Sequence, residues 1–454
     1  MAADRRSRAD RAAAAPPDAG TGPRRPGVLC SASRANRRGH RPRQASPRGA
    51  AGSSVGAPRT AATDVEERFR QLLAAAEESG GEPLSPAGFL VAGNFGSGKS
   101  HLLEYLQHVA REQRFVTSKI VISKETPLYD PAKLYRAAIR AAVVPGRRGA
   151  ALSQVASELD PYSTRYVDFY RWVQEPASSL NQRFAATLFL YERAADDPEL
   201  RDRIIAFWAG DPIQVGEIRK ALRALGERVT YTLDKVDARA LALQRFRFAA
   251  RLMRAAGYAG WVLLIDEVEL IDRYTLHQRA RSYAELARWT GNLKGETFPG
   301  ILSVCAITSD FEAAVLNDRN DREAVPGRLR ASARESDQLL APQAERGMRL
   351  IGRAVKLAPP SRAVIDETYD KLRAIHGQAY GWAPPPVSSA ERATSTSMRE
   401  YVRWWITEWD LKRLYPDYAP DMEATPIGPS YAEDADLEAP SEDDTAPSEP
   451  RDAW

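Results

Sequence analysis

Short apolar runs and helical periodicity alternate in the chain beyond its N-terminal segment. Residues 89–92 form a continuous apolar run, which is typical of a buried strand. A glycine-rich segment follows, and apolar residues then recur at the spacing of one helix face: Leu102, Leu103, Leu106, Val109 and Ala110. The pattern predicts a strand, a loop and a helix in that order.

The alternation continues along the chain. A second strand is predicted at about residues 115–123, and Asp130 and Pro131 then supply an N-cap and a first-turn proline for a helix over about 131–143. Later apolar runs predict strands at 261–265, 301–307 and 355–357, and a helix at about 276–292. This order favours an α/β fold with a parallel sheet and helices on both faces.

The segment between the second and third predicted strands, about residues 144–258, is far too long for an ordinary crossover connection. Its helical periodicity is interrupted by several prolines, and about five helices are expected there. We therefore predict a large helical subdomain inserted into the core, with Trp172 and Trp208 in its apolar centre.

Two more helices, over residues 362–380 and 398–414, are predicted after the last strand and would form a C-terminal helical lid. The second contains an aromatic-rich stretch at helical spacing. We expect these side chains to form the apolar core of the lid, rather than a surface on which bases stack. Its residues are Tyr401, Trp404, Trp405, Ile406, Trp409 and Leu411.

Composition divides the chain into four parts. Residues 1–63 are rich in Ala, Arg, Pro and Gly and predict a disordered, Arg-rich tail. Residues 417–454 carry 12 acidic side chains against one Arg and predict an acidic disordered tail. Between them, we expect a core at 64–357 that includes the insertion, and the lid at 358–416.

The charge and cysteine content narrow the class of protein. A net charge of +4 over 454 residues does not indicate a nucleic-acid partner, although the 13 Arg of residues 1–60 leave a nucleic-acid arm as an alternative. Cys30 and Cys305 are too few and too far apart for a disulfide framework. No apolar run is long enough to span a bilayer, so we expect a soluble, cytoplasmic protein.

The glycine-rich segment matches the Walker A pattern GxxxxGK[ST] in the strand-to-helix setting that this motif needs. Glycines allow backbone N–H groups to surround a phosphate at the positive end of the helix. Lys99 should bridge the β- and γ-phosphates of ATP, and Ser100 should bind Mg²⁺. The nucleotide-binding candidates are Gly93, Asn94, Phe95, Gly96, Ser97, Gly98, Lys99, Ser100 and His101, although His101 is also typical of a helix surface.

The strand predicted at residues 261–265 is followed by Asp266 and Glu267, as in a Walker B motif. Ligands of parallel sheets bind at the carboxyl ends of the strands, where these two acids would lie. Asp266 would hold Mg²⁺ through water, and Glu267 would polarise the attacking water. Phosphoryl transfer needs charge neutralisation and positioning more than covalent chemistry, so this set suffices for slow hydrolysis.

Other candidate residues depend on position alone. Thr308, or Ser309 beside it, could contact the γ-phosphate or attacking water, with strand-end capping as the alternative. Arg399 opens the second lid helix and could approach the nucleotide, or simply be solvated. Arg328 and Arg330, expected in a loop after the fourth strand, are possible arginine fingers for a second copy. Lys124 and Glu125 are interpreted as structural.

With these motifs in place, the chain resembles AAA-like P-loop ATPases of the Orc/Cdc6 type. More closely, it is similar to the ATP-binding proteins of bacterial BREX and phage-growth-limitation defence systems, the BrxD-like family. The resemblance covers roughly residues 65–415 and is carried by four segments: 88–103, 121–136, 261–271 and 399–406. It implies a role in phage resistance, with DNA, a helicase-like protein or another defence-system protein as partners.

These features predict an ATPase that hydrolyses ATP with Mg²⁺ and acts as a nucleotide-dependent switch or loader. The alternative is a scaffold that holds ATP without hydrolysing it, against which the presence of Glu267 argues moderately. The sequence leaves open whether the chain contacts DNA directly and whether it forms a homo-oligomer.

Overall fold

The computed structural model describes residues 61–80, 82–147, 149–227, 231–293, 295–387 and 398–416. The tail predictions for residues 1–60 and 417–454, and Cys30, lie outside these ranges. Within them, Cys305 is a buried free thiol. Among the helices of the described residues, there is none with the length and apolar character that crossing a membrane requires.

The centre of the fold is a six-stranded sheet with the strand order β3-β2-β4-β5-β1-β6. Its strands are β1 Gly88–Ala92, β2 Val116–Val121, β3 Ala142–Val143, β4 Trp261–Asp266, β5 Ile301–Ile307 and β6 Val355–Lys356. All neighbours pair in parallel except β3, which is antiparallel to β2. The predicted α/β class with a parallel sheet is therefore confirmed, and the short edge strand β3 is an addition to it.

Helices lie between the strands and on both faces of the sheet. They are α1 Ala61–Glu78, α2 Lys99–Glu112, α3 Pro131–Arg140, α4 Ala151–Ser157, α5 Thr164–Gln174, α6 Gln182–Arg193, α7 Pro198–Ala209, α8 Val215–Ala224, α9 Ala238–Ala255, α10 Leu276–Trp289, α11 Asp321–Arg330, α12 Glu335–Ile351, α13 Arg362–Tyr380 and α14 Met398–Leu414. As the sequence predicts, Asp130 caps α3 by accepting bonds from the amides of Ala132 (2.8 Å) and Lys133 (3.1 Å).

The insertion forms one core with the sheet. Six helices, α4 to α9, occupy the described residues between β3 and β4, one more than expected. Their apolar side chains belong to the same buried cluster as one face of the sheet, with Phe246 of α9 stacked on Trp261 of β4 at a centroid distance of 5.4 Å. Trp208 is fully buried in this cluster and Trp172 packs against it. The inserted helices therefore extend the main core.

Helix α1 covers the other face of the sheet together with α2. It begins at Ala61, so the last residues of the predicted tail belong to a helix. Val65, Phe69 and Leu73 recur every four residues and are fully buried against the sheet. That spacing was the available sequence signal for α1.

Helices α13 and α14 pack on each other around a small separate core. Trp405 and Trp409 are fully buried there beside Tyr369, with ring centroids 5.1 and 5.5 Å away. Ile406 is 36% exposed, so its predicted place in the lid core is wrong. It lies one residue beyond Trp405, on a different face of the helix.

The contact between α10 and α12 yields a stability prediction. A Cβ atom built on Gly347 of α12 would lie 1.8 Å from the backbone oxygen of Tyr283 in α10. We expect Gly347→Ala to lower the free energy of unfolding by about 3 kcal/mol or more, because two helices would have to separate. Urea denaturation measures this change.

Gly327→Ala in α11 is the matched control, because a Cβ there meets nothing within 4 Å. Alanine favours the helix, so this variant should be neutral or more stable by ~0.5 to 1 kcal/mol. Equal stability of the two variants would refute the proposed steric constraint at Gly347.

Candidate functional site

A glycine-rich loop, residues 93–98, joins β1 to α2 at the carboxyl edge of the sheet. Gly96 and Gly98 have positive φ angles of 74° and 93°, which side chains disfavour. Gly98 directly precedes α2, so the loop ends where the helix exposes its first N–H groups. Such a loop presents several backbone donors to one point, which suits an anion.

Gly93 fixes the start of this loop. Its amide donates to the carbonyl of Ile307 at the end of β5, over 3.1 Å. A Cβ atom at this position would lie 2.5 Å from Oγ of Ser97 and 3.3 Å from Leu357. A side chain at this position would therefore have to displace the Ser97 hydroxyl and press on Leu357.

Lys99 is the buried cation of the site, with 9% of its surface exposed. Its Nζ donates to the carbonyls of Gly93 (2.8 Å) and Asn94 (3.3 Å) in the same loop. Burial lowers the pKa of the ammonium, while the carboxylates of Glu269 and Asp266 act in the opposite direction. The ring of Phe95, itself 37% exposed, lies 5.4 Å from the same nitrogen.

Asp266, the last residue of β4, and Glu267, which follows it, have different environments. Asp266 is 3% exposed, and its Oδ1 accepts a bond from the Glu267 amide over 3.0 Å. Glu267 adopts a left-handed backbone conformation with φ 57° and is exposed. The buried carboxylate of Asp266 therefore interacts electrostatically with Lys99, whereas the carboxylate of Glu267 is accessible to solvent.

Glu269 is a site residue that sequence reasoning missed. It lies on a 3-10 helix, Val268–Arg273, and is only 8% exposed. Burial raises the pKa of its carboxyl to about 7, although the charge of Lys99 opposes this effect, and its Oε2 has no hydrogen-bond partner among the described residues. The only sequence signal was a second acid two positions after Glu267.

The end of β5 reaches the glycine-rich loop. Since β5 lies between β1 and β4, Thr308 and Ser309 follow a strand flanked by the two candidate motifs. Ser309 Oγ hydrogen-bonds the side-chain oxygen of Asn94 in the loop, and Thr308 is buried. The structure thus brings this predicted pair to the loop, with Ser309 making the direct contact.

Helix α14 begins against the same loop. The Arg399 amide donates to the Gly96 carbonyl over 3.4 Å, and the Arg399 charge also lowers the pKa of Lys99. The Arg399 side chain is exposed. Tertiary structure therefore places this arginine beside a loop that precedes it by about 300 residues.

Three other candidates are exposed on helices. Arg328 and Arg330 were expected in a loop but form the last turn of α11, where both are exposed and Arg330 hydrogen-bonds Glu345. Helix α11 continues to Arg330 although it contains Pro326. Because proline usually ends a helix, the sequence did not predict this one. His101 is exposed on α2, as its alternative interpretation required.

The donor groups of this edge fit a nucleotide with Mg²⁺. Ser97 Oγ is buried without a hydrogen-bond partner in the described part of the chain, beside a loop with anion-binding geometry. The described residues contain no group of three or more His, Cys, Asp or Glu side chains that could hold a metal ion. The hydroxyl of Ser100 and the carboxylate of Asp266 suit Mg²⁺, which usually takes few protein ligands and completes its shell with water and phosphates.

Comparison with known proteins identifies the family of the chain. The sequence profile of the family described as BREX system ATP-binding protein BrxC/D matches residues 85–159 and 173–397, which include the loop, the β4 acids and Thr308. Neither the curated proteins nor the solved structures contain a match. Because the match spans more than half of the sequence, the chain belongs to the BREX system ATP-binding protein BrxC/D family.

Proposed function

We propose that this protein is an AAA-like P-loop ATPase that binds ATP with Mg²⁺ at the carboxyl edge of its sheet and hydrolyses it to ADP and phosphate. The observation that carries the proposal is the convergence of the glycine-rich loop, buried Lys99 and the β4 acids at one edge. An ATP-binding family and a loop suited to phosphates both support the nucleotide.

Each group has a distinct role in this proposal. The loop amides and Lys99 hold the phosphates. On binding, Lys99 replaces its hydrogen bonds to the loop carbonyls with bonds to phosphate oxygens. Ser100 and Asp266 hold Mg²⁺, which neutralises phosphate charge when bound. Glu267, accessible and next to the buried acid, orients and polarises the attacking water. Thr308 or Ser309 hydrogen-bonds the γ-phosphate or that water.

The lid would couple nucleotide state to partners. Arg399 approaches the loop through its helix, so a γ-phosphate could hold α14 in place and its release could free the lid. We propose that this movement acts as a switch or loader in a BREX phage-defence system, with DNA or a helicase-like protein as partner. In a homo-oligomer, exposed Arg328 could supply a finger to a neighbouring copy.

The first test separates an ATPase from an ATP-holding scaffold. Lys99→Ala should weaken ATP binding roughly 100-fold, because charge-assisted bonds to phosphate are lost. Glu267→Gln should keep ATP affinity but lower kcat about 100-fold or more, because water activation is lost. Nucleotide binding and phosphate release, measured with and without double-stranded DNA, give both quantities.

Lys124→Ala and Glu125→Gln are the matched controls, since both residues are exposed after the end of β2. They should leave binding and turnover unchanged. Tight ATP binding by the wild type with no turnover, both with and without DNA, would favour the scaffold.

A second test addresses the lid. Arg399→Ala should lower kcat about tenfold, because a cation near the phosphates would be lost. Arg403→Ala, an exposed arginine one turn later on α14, should have no such effect. Steady-state hydrolysis of both variants measures the difference, and equal rates would show that Arg399 is a solvated helix-start residue.

A further inference from the structure

A second polar cavity lies at the opposite edge of the sheet, at the amino ends of β2 and β4. Its volume is about 550 Å³, and it is bounded by α1, α5 and the last turn of α9. Four arginines line it: Arg114, Arg165, Arg251 and Arg254. Because the glycine-rich loop follows the carboxyl end of β1 in this parallel sheet, the cavity is separate from the candidate nucleotide site.

The four guanidinium groups converge. The Arg165 Nη1 and Arg114 Nη2 atoms lie 3.6 and 3.9 Å from the point where a Cβ on Gly257 would be, so they face the same space. Burial lowers the pKa of Arg254, and the charges of Arg251 and Arg165 lower it further. Like charges are thus held near one another in a partly desolvated place, which costs free energy.

The protein compensates these charges only in part: burial lowers the pKa of Arg251, while the charges of Glu82 and Glu175 raise it. Within the described ranges, none of the four arginines forms an ion pair with a carboxylate or a side-chain hydrogen bond. Arg251 Nε and Arg254 Nη1 are fully buried from solvent without an acceptor. The cavity also has Glu77, Glu82 and Asp168 on its lining, but Asp168 contacts Arg171 (3.3 Å) and all three are exposed.

Unpaired buried donors are costly unless something else accepts their bonds. Arginine presents a planar fork of N–H groups that matches the oxygens of a phosphate, so several arginines suit several phosphates. We propose that this cavity is a second ligand site, which binds a small molecule carrying two or more linked phosphate groups through Arg114, Arg165, Arg251 and Arg254.

The concave shape favours a small ligand over the backbone of a nucleic acid. Arg251 and Arg254 are half-buried between helices, and the Arg251 guanidinium lies 4.2 Å from the ring centroid of Trp172. Phe169 and Tyr258, both buried, form part of the walls. A duplex would reach exposed Arg114 and Arg165 but not the inner pair, whereas a free polyphosphate chain can contact all four.

The test uses inorganic triphosphate as the probe and the full chain carrying Lys99→Ala, so that the glycine-rich loop is disabled. Calorimetry should show binding that weakens roughly tenfold to 100-fold when either arginine pair is replaced, Arg251→Gln with Arg254→Gln or Arg114→Gln with Arg165→Gln. Arg219→Gln with Arg223→Gln, two exposed residues of α8, removes the same charge and should leave binding unchanged.

Each other outcome contradicts the proposal. Unchanged affinity in both cavity variants, no binding at all, or an equal loss in the α8 control would show that triphosphate does not use this cavity. If the cavity variants lose binding of a single-stranded oligonucleotide but keep binding of triphosphate, the site serves a nucleic-acid backbone instead. Circular dichroism checks that each variant is folded. If the variant of the inner pair is unfolded, the variant of the exposed pair, Arg114 and Arg165, provides the test.

Discussion

The buried ammonium of Lys99 is the group on which the rest of the candidate site depends. A buried charge is unfavourable unless polar partners surround it, and Lys99 has two loop carbonyls and the nearby carboxylates of Asp266 and Glu269. These partners lie at or just after the carboxyl ends of two separate strands, β1 and β4. The strand order of the sheet therefore stabilises the lysine, and the same order brings its charge to the place where phosphates would bind.

Sequence periodicity predicted the central strands because each is a short apolar run between polar turns. Periodicity did not predict elements that form only through contact with a neighbouring element. Strand β3 has only two residues, Ala142 and Val143, and forms because β2 offers an edge. Helix α1 was not predicted, and composition assigned its first three residues to a tail, although Val65, Phe69 and Leu73 carry a helical pattern. The insertion was expected to have its own core, but Phe246 packs directly on the sheet.

The candidate site was predictable where its chemistry is contiguous in the sequence. The loop and the β4 acids each occupy a few consecutive residues, so their residue types could be interpreted together. The contacts of Glu269 and Ser309 depend on the fold: a 3-10 turn buries the first, and β5 ends beside Asn94, which the second contacts. The proximity of Arg399 to Gly96 is also a tertiary property. The roles of these residues in hydrolysis remain proposals.

Arginine illustrates why position in the sequence carries little information in this chain. Arg279 is almost completely buried, and Asp321 accepts two bonds from it, at 2.9 and 3.0 Å, so its charge is neutralised inside the protein. Arg251 and Arg254 also lie on a helix, α9, but a buried N–H group of each lacks an acceptor. The sequence shows the same residue type in each case. The difference is whether the fold places an acceptor within hydrogen-bond distance, and at Arg251 and Arg254 we propose that a ligand supplies it.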